Sequence, residues 1–441
     1  MHTFDLTLDR LTKVEGSASL EVRVTRNRVE HVHFKITEYK RFFTQAIRGK
    51  PIVALPQLLA RICGTCSNAH LLASIEACER ALNITPSPQT ILLRILTMYG
   101  LAIRDHALHL YLFSLPDIYG KDAFLDFDEN NPEEHQLLHD GFAVKAAGNF
   151  LATLVAGRSV HAVHPTIGGF LHFPEEKGIA EAIKKLEEAR PAALRLIEIF
   201  KSAPFHFDRH TNFMALIPER YGFLTGSIAT SSGERIPEER FGEHLERTVL
   251  PYSQASAYQH EGQSYMVGAL ARMNLAKDRL HPRTRETLGA ALSLFPSTDI
   301  FYNNLAQAIE ILHSIDDATD ILKTNTFRPE PIIQKPTRRA IGVGVIEAPR
   351  GTLYHRVSIG DDGVVREGEI VVPTGQNQIN IEEDIFRLVG DLIPETPKEK
   401  IAFEIEKLIR AYDPCMSCAA HFLKIDWQEG PRRPLTPLPR K

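Results

Sequence analysis

Four of the five cysteines of this 441-residue chain fall into two pairs that lie near its opposite ends. Cys63 and Cys66 sit in Arg61-Ile-Cys-Gly-Thr-Cys-Ser-Asn-Ala-His70, and Cys415 and Cys418 in Asp413-Pro-Cys-Met-Ser-Cys-Ala-Ala-His421. Two intervening residues let both thiolates of a pair reach one centre, and a histidine follows each second cysteine three or four positions on. A fold that uses both pairs together must therefore carry its two ends to one buried point. Soft sulfur selects zinc, nickel, copper(I) or an iron-sulfur cluster over magnesium or calcium, and spacing leaves that choice open. A structural zinc with four thiolates is the plainest occupant, yet such zinc usually staples small domains, and this chain has ample core without one. The fifth cysteine, Cys78, lies on an apolar stripe and reads as core.

The rest of the composition is that of an ordinary globular protein, 43% hydrophobic and 24% charged. A net charge of -4 with no basic face argues against nucleic acid as a partner. Charges interrupt the first ten residues where a secretory signal would be apolar, and no charge-free run is long enough to span a bilayer, so a cytoplasmic chain is expected. Export beside a signal-bearing partner would leave no mark on this sequence.

Residues 4 to 36 alternate polar and apolar side chains, which predicts a short antiparallel meander. After the first cysteine motif, Leu71, Ile75, Cys78 and Leu82 recur at helical spacing, with Ser67 as a candidate cap, so Cys66 falls at a helix N-terminus. Pro88 to Phe113 is apolar on nearly every side yet carries Arg94, Arg104, Asp105, His106 and His109, which predicts a central helix buried by other helices. Helical patterns follow at 136–157, 178–202, 236–276 and 302–323, then β-like alternation over 338–380 and a helix from about 382 to 411. The expected fold is α+β and mainly helical, with a large central helix bundle and small β elements near the N-terminus and in the 338–380 region. It reads as one compact unit: a β-containing part over 1–60, a helical bundle over 61–330, an α/β part over 331–421, and an extension over 422–441. That last stretch is too rich in proline to be helical.

Both cysteine motifs, in this order and with these flanking residues, resemble the paired signatures of the large, catalytic subunit of nickel-iron hydrogenases. The resemblance continues between them, in Arg10-Leu-Thr-Lys-Val-Glu15-Gly16, Asp105-His-Ala-Leu-His109, His164-Pro165 with Gly168-Gly169, Tyr265 to Arg272, Glu347-Ala-Pro-Arg-Gly351 and Val372-Pro-Thr374. Taken singly, each is more often a turn, a strand end or a satisfied buried pair. Together they span almost the whole chain.

The resemblance implies that Cys63 and Cys415 are terminal nickel ligands, while Cys66 and Cys418 bridge nickel to an iron bearing carbon monoxide and cyanide. It implies reversible heterolytic cleavage of H2, a reaction that needs a base beside the metals. Two residues answer to that role, Glu15 and Arg350, and Glu15 suits a proton relay because burial raises a carboxyl into the useful range. Asp105 and Asp413 would position Arg350, Pro373 and Thr374 would line the cyanide pocket, and His70 would meet a cysteine sulfur. His31, His33, His206 and His210 match no motif and read as structural or exposed. A magnesium ion would be held by His421 and the carbonyl of Ile370, but Thr44 stands where the family carries a glutamate, with Glu38 the nearest acid.

Further implications concern partners and processing. An iron-sulfur small subunit would take the electrons, since with four cysteines spent on nickel and iron this chain lacks the cysteines for such clusters. Nickel-insertion factors and a maturation protease would act on it, the latter cutting between His421 and Phe422 to release residues 422–441. Three other readings stand beside the enzyme. One is a regulatory H2 sensor with the same site; another is a quinone-binding relative of respiratory complexes, which retention of all four cysteines opposes; the third is a zinc protein.

Overall fold

A computed structural model of the chain describes residues 3–393 and 396–420. The N-terminal meander is present as β1 (Phe4–Leu8), β2 (Ala18–Thr25) and β3 (Arg28–Ile36), with β2 in the middle. Along β2 the residues Ala18, Leu20, Val22 and Val24 are buried, while the alternate positions are not, which is the period of two the sequence carries.

The helical body comprises α1 (Ser67–Leu82), α2 (Pro88–Ala107), α3 (Pro132–Ala156), α4 (Glu176–Lys201), the short α5 (Ala269–Ala276), α6 (Tyr302–Thr324), α7 (Pro373–Leu392) and α8 (Lys398–Ala411). Local chemistry starts several of them. Ser87 accepts from the Thr90 N–H ahead of Pro88, and Asn131 accepts from the N–H groups of Glu133 and Glu134 ahead of Pro132. Ser67 does not cap α1. Its Oγ accepts instead from the His161 N–H at 2.8 Å, and Cys66 holds the N-cap position.

Central helix α2 is buried as its composition predicts, and its polar side chains are spent inside the protein: Arg94 donates to both oxygens of Glu79 in α1 at 2.8 and 2.5 Å. Past Ala107 the helical ladder widens into a π-helical turn, Leu108–Ser114, which carries His109.

One helical expectation is overturned. Residues 236–276 hold little helix beyond α5. From residue 214 onward the chain forms β4 (Met214–Ile217), β5 (Ser227–Thr230), β6 (Arg235–Pro237), β7 (Glu246–Val249) and β8 (Ser256–Gln259), the last three within or bordering the predicted helix, with a 3-10 helix over Glu238–His244. Leu216, Ile228, Ile236, Phe241 and Tyr258 share a second apolar cluster with Val345 and Tyr354, and that tertiary burial overrides the helix-forming glutamates. The predicted helix over 382–411 is instead two, because α7 begins at Pro373 and α8 begins directly after Pro397.

The 338–380 region forms the antiparallel strands β9 (Ala340–Ala348), β10 (Gly351–Ile359) and β11 (Val365–Val371). Strand β9 lies directly on α1. A Cβ on Gly342 would fall 1.9 Å from the Ala77 carbonyl oxygen, and one on Gly344 2.2 Å from that of Ala73. These two glycines let the sheet come close enough for the turn carrying Arg350 to face the start of α1.

The chain ends are joined by charge. Arg410 of α8 donates twice to Asp117, at 2.6 and 3.0 Å, and Lys13 donates to the same carboxylate at 2.7 Å. Both cations are thereby fixed, and with them the segments that carry Glu15 and Cys415.

Candidate metal centre

Cys63 follows a 3-10 turn, Ala60–Ile62, and Cys66 precedes α1. Arg104 donates to the Thr65 carbonyl between them, and Thr65 Oγ1 lies 3.3 Å from Cys63 Sγ. On the other side, Asp413 has φ 51°, a left-handed conformation that aspartate tolerates, and the turn directs Cys415 inward. Cys415 pairs with Glu15 as an isolated parallel bridge, closed by the Met416 N–H on the Glu15 carbonyl at 3.0 Å. Gly16 permits this approach, since a Cβ there would meet Met416 Cβ at 2.8 Å. Arg41 then fastens one loop to the other, donating to the carbonyls of Ile62 (2.8 Å) and Ser417 (2.7 Å).

The four sulfurs consequently converge. Cys63 and Cys415 are 3.6 Å apart, Cys66 and Cys418 3.1 Å, Cys415 and Cys418 3.2 Å, and all four lie within 4.8 Å of one another. None of these residues is more than 4% exposed. The separations exceed the roughly 2.05 Å of a disulfide and suit sulfurs on the edges of one metal polyhedron. Burial pushes the Cys415 and Cys418 thiols well above their ordinary range. Burial also acts to raise Cys63, but hydrogen bonds from Cys415, Cys418 and Cys66 outweigh it and hold that thiol well below the ordinary range. Four thiolates ionised together at this spacing need metal charge to hold them. The donor set fits nickel and iron.

Around the sulfurs stand the other expected side chains. Glu15 Oε2 lies 3.0 Å from Cys415 Sγ and accepts from the Ser417 N–H at 3.1 Å. Arg350 donates through Nη1 to Asp105 at 2.9 Å and through Nε to Asp413 at 3.1 Å. Burial works against its charge, but the two carboxylates more than offset that and hold the guanidinium well above the usual arginine range. Thr374 Oγ1 accepts from the Cys415 N–H at 2.9 Å, which leaves its own O–H proton to point elsewhere. His70 sets Nε2 3.6 Å from Cys418 Sγ and Nδ1 3.2 Å from His355, and burial pushes it down to about 4, so it is neutral at pH 7. Cys66, Cys418, His70, Arg350, Pro373 and Thr374 line a cavity of about 10 Å³, room for a guest the size of one water.

Sequence reasoning missed the supports. Gln307 of α6 donates to Asp413 at 3.0 Å and accepts from His109 Nδ1 at 2.6 Å, while His109 Nε2 meets the Arg410 carbonyl at 2.8 Å. The signal available was the run of polar residues, Asn303 to Asp317, inside an otherwise apolar helix. Cys78 is core, as expected. Among the magnesium residues, Ile370 sits in β11 opposite His355, Thr44 lies in a short helix, and Glu38 accepts from the Ser17 N–H at 3.1 Å. His421 and Phe422 lie outside the described residues.

Fold and site together define the catalytic subunit of a metalloenzyme whose metals are held by four buried thiolates. The family described as nickel-dependent hydrogenase matches at residues 41–136 and 232–421. Among curated proteins, the chain is 32% identical to sulfhydrogenase 2 subunit alpha of Pyrococcus furiosus, covering 95% of this chain and 99% of that one. It is 30% identical to sulfhydrogenase 1 subunit alpha of the same organism, over 95% and 98%. Among solved structures, an NAD+-reducing [NiFe]-hydrogenase in its H2-reduced state superposes with a TM-score of 0.84 at 23% identity, covering 96% of this chain and all of that one. A variant of the [NiFeSe] hydrogenase of Desulfovibrio vulgaris Hildenborough superposes with a TM-score of 0.79 at 19% identity, over 95% and 99%. The chain belongs to the nickel-dependent hydrogenase family, as its large subunit, and is an oxidoreductase acting on H2. No helix among the described residues is long and apolar enough to cross a membrane.

Proposed function

We propose that this subunit catalyses the reversible heterolytic cleavage of H2 into two protons and two electrons, the electrons passing to an iron-sulfur small subunit. Cys63 and Cys415 would hold nickel as terminal ligands, and Cys66 and Cys418 would hold both the nickel and an iron carrying carbon monoxide and cyanide. Bound there, the metals supply the acceptor for the electron pair of the H–H bond. The observation that carries the reading is the Glu15 carboxylate, 3.0 Å from the sulfur of Cys415 and within reach of no competing cation among the described ion pairs. A proton released beside that sulfur passes to Glu15 and outward, because a carboxylate at hydrogen-bond distance is a competent acceptor.

Arg350 has a different part. A guanidinium clamped between Asp105 and Asp413 stays charged, so it orients and polarises rather than taking a proton. Thr374, with its proton free, would donate to a cyanide of the bound iron, and Pro373 lines the same wall. The same reading extends to a magnesium ion, which the Ile370 carbonyl and His421 would hold, with water where Thr44 replaces the glutamate. Infrared spectroscopy of purified, metal-replete protein tests the centre: bands from bound carbon monoxide and cyanide are expected, and active protein without them overturns the assignment.

Assembly follows from the same reasoning. The relatives named as alpha subunits support a partner subunit, and this chain spends its paired cysteines on nickel and iron. Residues 422–441 are an extension that a maturation protease removes between His421 and Phe422, once insertion factors have delivered nickel. Intact-mass measurement of the active subunit should end at His421; an active subunit retaining the twenty residues refutes the cut.

A further inference from the structure

Apart from the four cysteines, one group among the described residues gathers three metal-ligating side chains: Glu234, His244 and His260, whose ligand atoms lie within 4.8 Å of one another. They come from three separate pieces of the small β layers. Glu234 sits in the turn between β5 and β6, His244 ends the 3-10 helix, and His260 follows β8. Backbone bonds hold two of these pieces still. The Thr230 N–H donates to the Glu234 carbonyl and the Glu234 N–H to Thr230 Oγ1, both at 3.1 Å, while His260 and Gln263 exchange N–H bonds at 3.0 Å.

Geometry at the ring nitrogens is the informative part. His260 Nδ1 lies 3.1 Å from the carbonyl oxygen of His244, which only accepts, so the proton belongs on Nδ1. The neutral ring then presents a lone pair at Nε2, and Nε2 faces Glu234 Oε2 at 3.0 Å, another acceptor. Two acceptors at that distance need a cation between them, either a proton or a metal. A ligating histidine that donates its far N–H to a backbone carbonyl is the usual arrangement around a bound metal. His244 Nδ1 approaches the other oxygen, Oε1, at 3.5 Å. Donors on a tetrahedral ion with bonds near 2.0–2.1 Å stand about 3.3 Å apart; the His260–Glu234 contact of 3.0 Å is near that value, and the three ligand atoms, one from each residue, already lie within 4.8 Å of one another. No lysine or arginine pairs with Glu234 in any described ion pair, and the three side chains are 36%, 26% and 13% exposed, open to entry from solvent.

We propose that Glu234, His244 and His260 bind one divalent transition-metal ion of the zinc class, with water completing the shell. Two imidazoles and one carboxylate favour such an ion over magnesium or calcium. The ion would tie the β5–β6 turn, the 3-10 helix and the end of β8 into one unit, remote in chemistry from the thiolate centre and independent of what that centre does.

Zinc itself is the probe. The purified hydrogenase complex, washed with chelator and dialysed against Zn2+, should retain one zinc per large subunit beyond that of an E234Q complex treated alike, with at least 100-fold weaker zinc binding in the variant. An H244N/H260N complex should lose the zinc altogether. Rates of H2 oxidation should be equal in all three. Cobalt(II) loaded into the wild type should give the visible absorption of a tetrahedral site, absent from E234Q. Because glutamine preserves shape, E234Q separates ligand loss from misfolding, and an unchanged melting temperature in chelator verifies that. Equal zinc retention in wild type and variants, or none in the wild type, overturns the proposal and leaves a protonated His260 paired with Glu234.

Discussion

Replacing Glu15 by glutamine should slow catalysis at least about 100-fold and leave the metal centre standing. Oε2 of Glu15 makes two contacts, with Cys415 Sγ at 3.0 Å and with the Ser417 N–H at 3.1 Å. An amide oxygen in the same place still accepts from Ser417, so the change retains that contact and costs folding only about 1 kcal/mol through the weaker, uncharged acceptor. The backbone pairing of residue 15 with Cys415 and Met416 is untouched, because it uses main-chain atoms. What disappears is the capacity to hold a proton beside the sulfur. Positioned proton transfer contributes about 10²–10⁴-fold, so turnover should fall by that factor, equivalent to roughly 3–5 kcal/mol of barrier. The assay is H2-driven dye reduction, read beside nickel content and the infrared bands of the diatomic ligands. The expected Glu15→Gln subunit carries full nickel, unshifted bands and a turnover at least 100-fold lower. Turnover within threefold of the wild type refutes a proton relay through Glu15, as does an activity loss that merely tracks lost nickel.

Three other outcomes follow from the packing. Arg272→Met strips the cation shared by Glu310 (2.6 and 2.7 Å) and Glu347 (2.7 Å), and two stranded buried carboxylates should cost about 3–5 kcal/mol in urea unfolding. Glu347 and Pro349 lead directly to Arg350, so nickel content should drop with it. His313 accepts the His281 N–H at Nδ1, and burial pushes it down to about 4. The unfolded chain takes up that proton near pH 6.5 while the folded one refuses it, so stability should decline from pH 6.5 toward 4 by up to about 3 kcal/mol. Melting curves of His313→Gln across that window should decline less steeply. Gly342→Ala drives a Cβ to 1.9 Å from the Ala77 carbonyl and should destabilise by about 1–3 kcal/mol or more, whereas Gly390→Ala, with nothing within 4 Å, should be neutral or slightly stabilising in thermal melts.

Which of these residues could be read from sequence depends on what fixes them. The four cysteines, Glu15, Asp105, Arg350 and Asp413 are legible because their chemistry is local to short motifs, and the structure gathers all eight. Arg41, Arg104 and Gln307 act only across the fold: Gln307 reaches Asp413 from 106 residues away, and no spacing rule connects them. The same limit governs 236–276. A stretch such as Glu238 to Glu246 is rich in helix formers, but Phe241 and Tyr258 earn their burial against β9 and β10, a tertiary gain that local propensity does not contain.

The same distinction bears on how the centre is assembled. Residues 412–420 receive their contacts from elsewhere: the Cys415 N–H donates to Thr374, the Ser417 carbonyl accepts from Arg41, the Met416 N–H donates to the Glu15 carbonyl, and Gln307 holds Asp413. Cys63 and Cys66, by contrast, lie just ahead of a long helix packed on β9, and Arg41 is their tie to the C-terminal loop. The second pair is therefore the closing half of the site. Burial holds both thiols of the closed half well above their ordinary range, so they stay protonated until a metal displaces the protons, and metal binding then adds its free energy to the closed form. One consequence is measurable. A subunit truncated after His421 and expressed without nickel should show Cys415 and Cys418 reactive to thiol reagents far faster than the nickel-loaded subunit; equal, slow labelling of both would mean that the loop docks without metal.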